Sequence, residues 1–151
     1  NWMRPFNYEK ILDSLRNQTV PCTITICDCH TSAEYAFPTS VLLNADRLFR
    51  WKHNLGGYNR YAPIGAYDHQ YTFFIDDDIL PDRKCLEVFL DTALKLNNEF
   101  GVLGQYGRLI SSDNKYVAQD VIQGREIKEV DFIVQAYFVK TSYLHSILKF
   151  R

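Results

Sequence analysis

Residues 71–81 read YTFFIDDDILP, an apolar run that ends in three consecutive aspartates and is followed by a proline. The run does not alternate between apolar and polar side chains, so it predicts a strand over residues 71–75 that is buried on both faces. Pro81 suits the first turn of a helix, where a missing N–H costs little. Apolar residues spaced along one face extend that predicted helix to about residue 96. The stretch therefore predicts a strand, an acidic turn and a helix.

The same alternation of strands and helices runs through the rest of the chain. A helix is predicted over residues 6–16, with its apolar face formed by Phe6, Ile11, Leu12 and Leu15. Strands are expected at residues 23–27, 47–52, 101–106, 130–134 and 137–139, and helices or helical turns at residues 39–43, 59–66 and 141–148. Continuous hydrophobic strands that alternate with helices predict an α/β protein whose sheet is covered on both faces. No repeat or linker interrupts the chain, which predicts one domain.

The composition excludes several classes of protein. The chain has 151 residues, 46% of them hydrophobic, which is enough for a folded core and excludes a disordered or low-complexity chain. The formal net charge is −1 and no basic block is present, so no nucleic acid is expected as a partner. No apolar run approaches the roughly 18 residues that a membrane-spanning helix needs. We therefore expect no membrane segment within this chain.

The spacing of the cysteines favours free thiols over a metal site. The chain has four of them: Cys22, Cys27, Cys29 and Cys85. None forms a CxxC pair, and the histidines are scattered, so the spacing does not predict a zinc site. Buried thiols are typical of a reducing compartment, which favours a cytoplasmic location.

The main candidate for a binding site is the run of three aspartates, Asp76, Asp77 and Asp78. Adjacent carboxylates repel one another, and open α/β sheets bind ligands beyond the carboxyl ends of their strands, where this cluster is expected. Asp76 and Asp78 can face the same side of an extended chain, which suits Mg²⁺ or Mn²⁺ bridging phosphate oxygens. A solvated acidic turn that caps the next helix is the structural alternative. A phosphatase-like nucleophile is disfavoured, because Leu80 stands where that chemistry usually has threonine or valine.

Several short motifs follow one another in a definite order. They are NWMRP at residues 1–5, SLRNQT at residues 14–19, a strand ending in Asp28, NLGG at residues 54–57 and FIDDDILP at residues 74–81. This order resembles the opening and the DxD motif of GT-A glycosyltransferases of the large family 2 group. Residues 130–132 and 137–138 resemble their acceptor-side strands. NRYAP at residues 59–63, the aspartate triplet and GQYGR at residues 104–108 are similar to exostosin-like glycosyltransferases, and the resemblance covers nearly the whole chain.

The resemblance implies a GT-A fold, a Rossmann-like mixed sheet with helices on both faces. It implies transfer of a sugar from a nucleotide-diphosphate donor to a hydroxyl of a glycan or other acceptor, with Mn²⁺ or Mg²⁺ as Lewis acid and template. It also implies roles for particular residues. Asp28 contacts the nucleotide base, Arg4 lies near the nucleotide, Asn59 and Arg60 approach the diphosphate, Asp76 lies near the ribose and the metal, Asp78 binds the metal, and Asp77 stands between those two.

Two departures from the resemblance concern the catalytic base and the ends of the chain. An inverting enzyme needs a carboxylate that deprotonates the acceptor, and in such enzymes the segment that supplies it would lie beyond Arg151. A first strand would lie before Asn1, so we expect a domain truncated at both ends. Asp131 and Glu126 are the remaining late carboxylates, and the expected motif surrounds neither. Asp131 is a candidate base, although its position is more typical of a strand-entry residue.

Three other functions stay open at this point. A non-catalytic module that binds a nucleotide sugar or a carbohydrate could use the same fold. A nucleotidylyltransferase needs a glycine-rich, basic first loop, which residues 2–5 do not provide. A purely structural interaction domain leaves three clustered aspartates unexplained. Inversion and retention of the sugar both stay open, because the family 2 and exostosin-like resemblances differ on this point.

Overall fold

A computed structural model describes residues 5–29, 36–54, 56–113, 115–117 and 127–147. Within these ranges four α-helices and six strands form a mixed α/β chain, which confirms the predicted class. Contacts between residues group the chain into two compact units. The first unit comprises Asn1–Asp68 and Asp77–Asn98, and the second comprises His69–Asp76 and Glu99–Arg151. The prediction of one domain stays a prediction.

The first unit contains a pair of parallel strands, β1 (Thr25–Asp28) and β2 (Arg47–Arg50). The helix α2 (Thr39–Asn44) lies between them in the chain. The register pairs Thr25 with Arg47 and Asp28 with Arg50. Both strands begin or end within a few residues of the predicted bounds. Because the strands are parallel and in this register, their last residues lie side by side at the carboxyl edge.

The core of the first unit is built on α1 (Tyr8–Arg16), which follows a 3₁₀ turn at Pro5–Asn7. Its buried cluster contains Tyr8, Leu12, Ile24, Ile26, Phe37 and Val41. The rings of Tyr8 and Phe37 meet edge to face, with their centroids 4.6 Å apart. The predicted position of Phe6 on the buried face is wrong, since Phe6 is 70% exposed. The 3₁₀ turn has three residues per turn, which rotates Phe6 away from the stripe that α1 buries.

Helix α3 (Cys85–Lys95) begins four residues later than Pro81, where the sequence placed its start. The side chain of Asp82 explains this: its Oδ1 accepts a hydrogen bond from the Lys84 N–H at 3.0 Å. The Asp82 carbonyl accepts from Cys85 N at 3.0 Å, so residues 82–85 form a turn that leads into the helix. The predicted apolar face is confirmed at Leu86 and Ala93, which are buried, and is wrong at Leu94, which is 64% exposed.

The second unit contains an antiparallel sheet with the strand order β3-β6-β4-β5. Its strands are β3 (Tyr71–Phe74), β4 (Val102–Ile110), β5 (Tyr116–Val117) and β6 (Phe132–Lys140), and α4 (Thr141–Ile147) follows directly. The two strands predicted around residues 130–139 are one strand. A register shift between Gly104 and Tyr106 and the positive φ of Gln135 (70°) mark a β-bulge, which explains the apparent break in the pattern.

The bulge brings β6 close to the backbone of Gly104, which leads to a prediction about stability. A Cβ atom at Gly104 would lie 2.1 Å from Ile133 Cγ2 and 3.1 Å from the Ala136 carbonyl oxygen. We expect Gly104→Ala to lower the free energy of unfolding by about 1–3 kcal/mol, because neither a β-branched side chain nor backbone can move easily. Urea unfolding measures this. Gly101→Ala is the control, since no atom lies within 4 Å of its Cβ position; equal losses in both variants would contradict the prediction.

The structure can be compared with the predictions of free thiols and of no membrane segment. None of the four cysteines, all of which lie in described parts of the first unit, forms a disulfide. Cys29 is buried and the other three are half-buried. Within the described ranges, every helix is too short or too polar to cross a bilayer.

Candidate functional site

The carboxyl ends of β1 and β2 carry an ion pair between Asp28 and Arg50. The Arg50 Nε donates a hydrogen bond to Asp28 Oδ2 at 2.9 Å, and the Asp28 side chain has no exposed surface. The Asp28 carbonyl oxygen also accepts from the N–H of Trp51 at 2.9 Å. A carboxylate that is removed from water needs such partners, because an uncompensated buried charge is strongly destabilising. The sequence predicted Asp28 as a binding residue but did not single out Arg50.

A buried tyrosine lies close to two of the predicted carboxylates. Burial raises the pKa of the Tyr8 hydroxyl well above its usual value, and the charges of Asp77 and Asp28 raise it further. Asn7, one residue earlier, donates from Nδ2 to the Asp77 carbonyl oxygen at 2.9 Å. The start of α1 therefore holds part of the acidic triplet near the end of β1. Asp28 and Asp77, which are far apart in sequence, therefore both act on the Tyr8 hydroxyl.

Arg60 also lies near the end of β1. It belongs to a 3₁₀ helix at Gly56–Tyr61, which starts with a glycine in the left-handed region (φ 62°). The Tyr67 hydroxyl donates to the Arg60 carbonyl oxygen at 2.7 Å. Burial raises the pKa of the Cys27 thiol, whereas a hydrogen bond with Tyr67 and the charge of Arg60 lower it. Tyr67 therefore connects the segment that carries Arg60 to β1.

Asn59 is buried beside Arg60, with 2% of its surface exposed. Its Nδ2 donates to Asn54 Oδ1 at 3.2 Å and to the Gly56 carbonyl oxygen at 3.3 Å. Its Oδ1 has no hydrogen-bond partner among the described residues. Because both amide hydrogens are used within the loop, Asn59 can offer a ligand only an acceptor. Diphosphate oxygens are acceptors too, so this side chain offers them no free amide hydrogen, and the approach of Asn59 to a diphosphate stays a prediction.

The three aspartates differ in their surroundings. Asp76 follows β3 and belongs to the second unit, whereas Asp77 and Asp78 form a turn in the first unit. Asp76 and Asp77 are half-buried and Asp78 is exposed. In the described part of the chain, no group of three or more His, Cys, Asp or Glu side chains is arranged to hold a metal ion. Carboxylate oxygens nevertheless fit Mg²⁺, which usually takes one or two carboxylates and completes its shell with phosphates and water.

The segment after the triplet is held against α1 by polar side chains. Ser14 Oγ donates to the Pro81 carbonyl oxygen at 2.5 Å, and Gln18 Nε2 donates to that of Asp82 at 2.7 Å. The Gln18 Oε1 accepts from the Leu86 N–H at 3.0 Å. These residues belong to the SLRNQT motif, whose role the sequence did not reveal. Ser14 lies in α1, and Gln18 follows Asn17, the C-cap of that helix, so the two side chains bind the same segment from the helix and from just past its end.

Asp131, a further predicted residue, belongs to the second unit. Asp131 is exposed at the entry to β6, and its Oδ2 accepts from the Ile110 N–H at 2.6 Å. The Asp131 N–H donates to the Arg108 carbonyl oxygen at 3.0 Å. These bonds give Asp131 a structural role in the antiparallel sheet. Arg4 and Glu126 lie outside the described residues.

Comparison with known proteins identifies no relative of this chain. No family model matches its sequence, and neither a curated protein nor a solved structure matches it. The case for a function therefore rests on the residues and their geometry.

Proposed function

We propose that the chain is the donor-binding part of a metal-dependent glycosyltransferase with a GT-A fold. It moves a sugar from a nucleotide-diphosphate donor to a hydroxyl of a glycan or another acceptor. The observation that carries the proposal is the hydrogen bond from Asn7 Nδ2 to the Asp77 carbonyl oxygen, because Asn7 directly precedes Tyr8, which packs in one buried cluster with Ile26 of β1. This placement holds the acidic turn near the carboxyl end of a parallel strand, which is where α/β proteins bind nucleotides.

Asp78 and Arg60, both in the first unit, have proposed roles that suit their surroundings. Asp78 is exposed and can bind Mn²⁺ or Mg²⁺ without disturbing a packed core. When bound, the cation neutralises the charge that develops on the leaving diphosphate. Arg60 binds the diphosphate, because a guanidinium forms paired, charge-assisted hydrogen bonds with phosphate oxygens. The role of Asp76 at the ribose and the metal stays a prediction from the sequence.

The first experiment is a calorimetric titration of the protein with UDP and with GDP, each with and without Mn²⁺. We expect one of the two nucleotides to bind at least about tenfold more tightly when Mn²⁺ is present, because the metal bridges carboxylate and phosphate oxygens. A thermal unfolding curve of the same sample serves as the control. If a protein that unfolds cooperatively binds neither nucleotide under any condition, the proposal is wrong.

A non-catalytic module that binds a nucleotide sugar is the second candidate. The observation that favours it is the hydrogen bond from the Ile110 N–H to Asp131, which engages the candidate base in the sheet. Nucleotide release in the presence of hydroxyl acceptors separates the two functions. Metal-dependent nucleotide binding without release of nucleotide from any UDP- or GDP-sugar would support the binding module.

A further inference from the structure

The Arg50 guanidinium combines a buried partner with an exposed side chain. Its Nε donates to Asp28 Oδ2 at 2.9 Å; the Asp28 side chain is 0% exposed, and that of Arg50 is 54% exposed. A guanidinium carries five N–H groups. Among the described residues, the Nε group accounts for the hydrogen bonding of Arg50. The two terminal nitrogens therefore present a planar fork of donors to solvent.

The backbone fixes the position of this fork. Asp28 and Arg50 are paired in register as the last residues of β1 and β2. The Trp51 N–H donates to the Asp28 carbonyl oxygen at 2.9 Å, which extends the pairing past the end of the strands. A ligand at this edge meets Arg50 rather than Asp28, because Asp28 has no exposed surface. Asp28 orients the arginine, as buried carboxylates commonly do for groups at a binding site.

A second arginine acts on the same strand end. Burial raises the pKa of the Cys29 thiol, and the charge of Arg60 lowers it, as it does for Cys27. Cys27 and Cys29 are the neighbours of Asp28 in the chain. The bond from the Tyr67 hydroxyl to the Arg60 carbonyl oxygen, 2.7 Å long, holds the segment in place. The Trp51 Nε1 also donates to the Asn59 carbonyl oxygen at 3.1 Å, so the segment that carries Arg60 lies beside the end of the β1–β2 pair that carries Arg50.

We propose that Arg50 binds the diphosphate of the donor together with Arg60, and that Asp28 is a positioning residue that acts through Arg50. The proposal rests on the proposed function for the identity of the donor, and it changes the role of Asp28 from a contact with the base to support of a guanidinium. Guanidinium groups suit this task, because their donors match two phosphate oxygens at once and they keep their charge at every accessible pH.

The test uses inorganic pyrophosphate as the probe, titrated calorimetrically into the protein without any metal. We expect wild-type protein to bind it and Arg50→Gln to weaken binding by about tenfold or more, as loss of a charge-assisted pair implies. Arg50→Lys keeps the charge but loses the fork, so its loss should be smaller. Arg83→Gln removes an exposed arginine elsewhere in the first unit and should leave binding unchanged.

The positioning role of Asp28 has its own readout. Asp28→Asn should weaken pyrophosphate binding in the wild-type background but have no further effect in the Arg50→Gln background, because it acts through Arg50. Thermal unfolding identifies any variant that fails to fold. If Arg50→Gln does not fold, the proposal is tested by whether Arg50→Lys binds pyrophosphate more weakly than wild-type protein. Absence of pyrophosphate binding by wild-type protein, or binding by folded Arg50→Gln within twofold of wild type, would overturn the proposal. If UDP and GDP fail to bind while pyrophosphate binding depends on Arg50, only the proposed function is wrong.

Discussion

Asp78→Ala is expected to abolish metal-dependent nucleotide binding while the fold stays intact. The side chain of Asp78 is exposed, so its removal creates no buried cavity. Loss of a direct carboxylate ligand should raise the Kd for UDP or GDP in Mn²⁺ by about 100-fold or more, beyond the typical effect of residues that only support a metal ligand. Calorimetric titration with and without Mn²⁺ measures this change.

The matched control for Asp78→Ala is Asp91→Ala. Asp91 is an exposed carboxylate on α3, in the same unit, and removing it changes the net charge by the same amount. A general electrostatic effect would therefore weaken binding in both variants, whereas loss of a metal ligand affects Asp78→Ala alone. Unchanged nucleotide affinity in Asp78→Ala, with a normal unfolding curve, would remove Asp78 from the site and with it the proposed metal dependence.

Leu12→Ala is expected to lower the free energy of unfolding of the first unit strongly. Leu12 is 3% exposed and packs in the cluster with Tyr8, Ile26 and Val41. Truncation removes apolar contacts and leaves a cavity that the neighbouring side chains cannot fill. Substitutions of this kind cost about 2–5 kcal/mol. Urea unfolding followed by circular dichroism measures the difference in the free energy of unfolding.

Leu43→Ala provides the control because it makes the same chemical change on the surface. Leu43 lies on α2 and is 80% exposed, so little apolar area leaves or enters water when it is truncated. We expect a change of no more than about 0.5 kcal/mol. Similar losses for Leu12→Ala and Leu43→Ala would mean that the cluster around α1 is not the core of this unit. Nucleotide binding should also weaken in Leu12→Ala, since Asn7, which holds Asp77, directly precedes α1.

Local patterns predicted most of the elements but not their partners. The β-branched run before Asp28 and the apolar run after residue 70 are both strands, as expected from side chains that suit extended backbone. The strand formed by the apolar run at residue 71 pairs antiparallel with β6, a partner and a direction that the run itself did not predict. A hydrophobic run reports burial and does not specify strand direction.

By itself, the sequence determined the α/β class, the position of a carboxylate at the end of β1 and the acidic triplet after β3, because propensity and periodicity are local properties of the chain. Only the tertiary structure decided what those carboxylates do. Asp28 is paired with Arg50, 22 positions later in the chain, and Asp77 is held by Asn7, 70 positions earlier. Such contacts depend on strand register and helix packing, which no window of neighbouring residues encodes. The ion pair that defines the candidate site therefore became visible only once β1 and β2 were side by side.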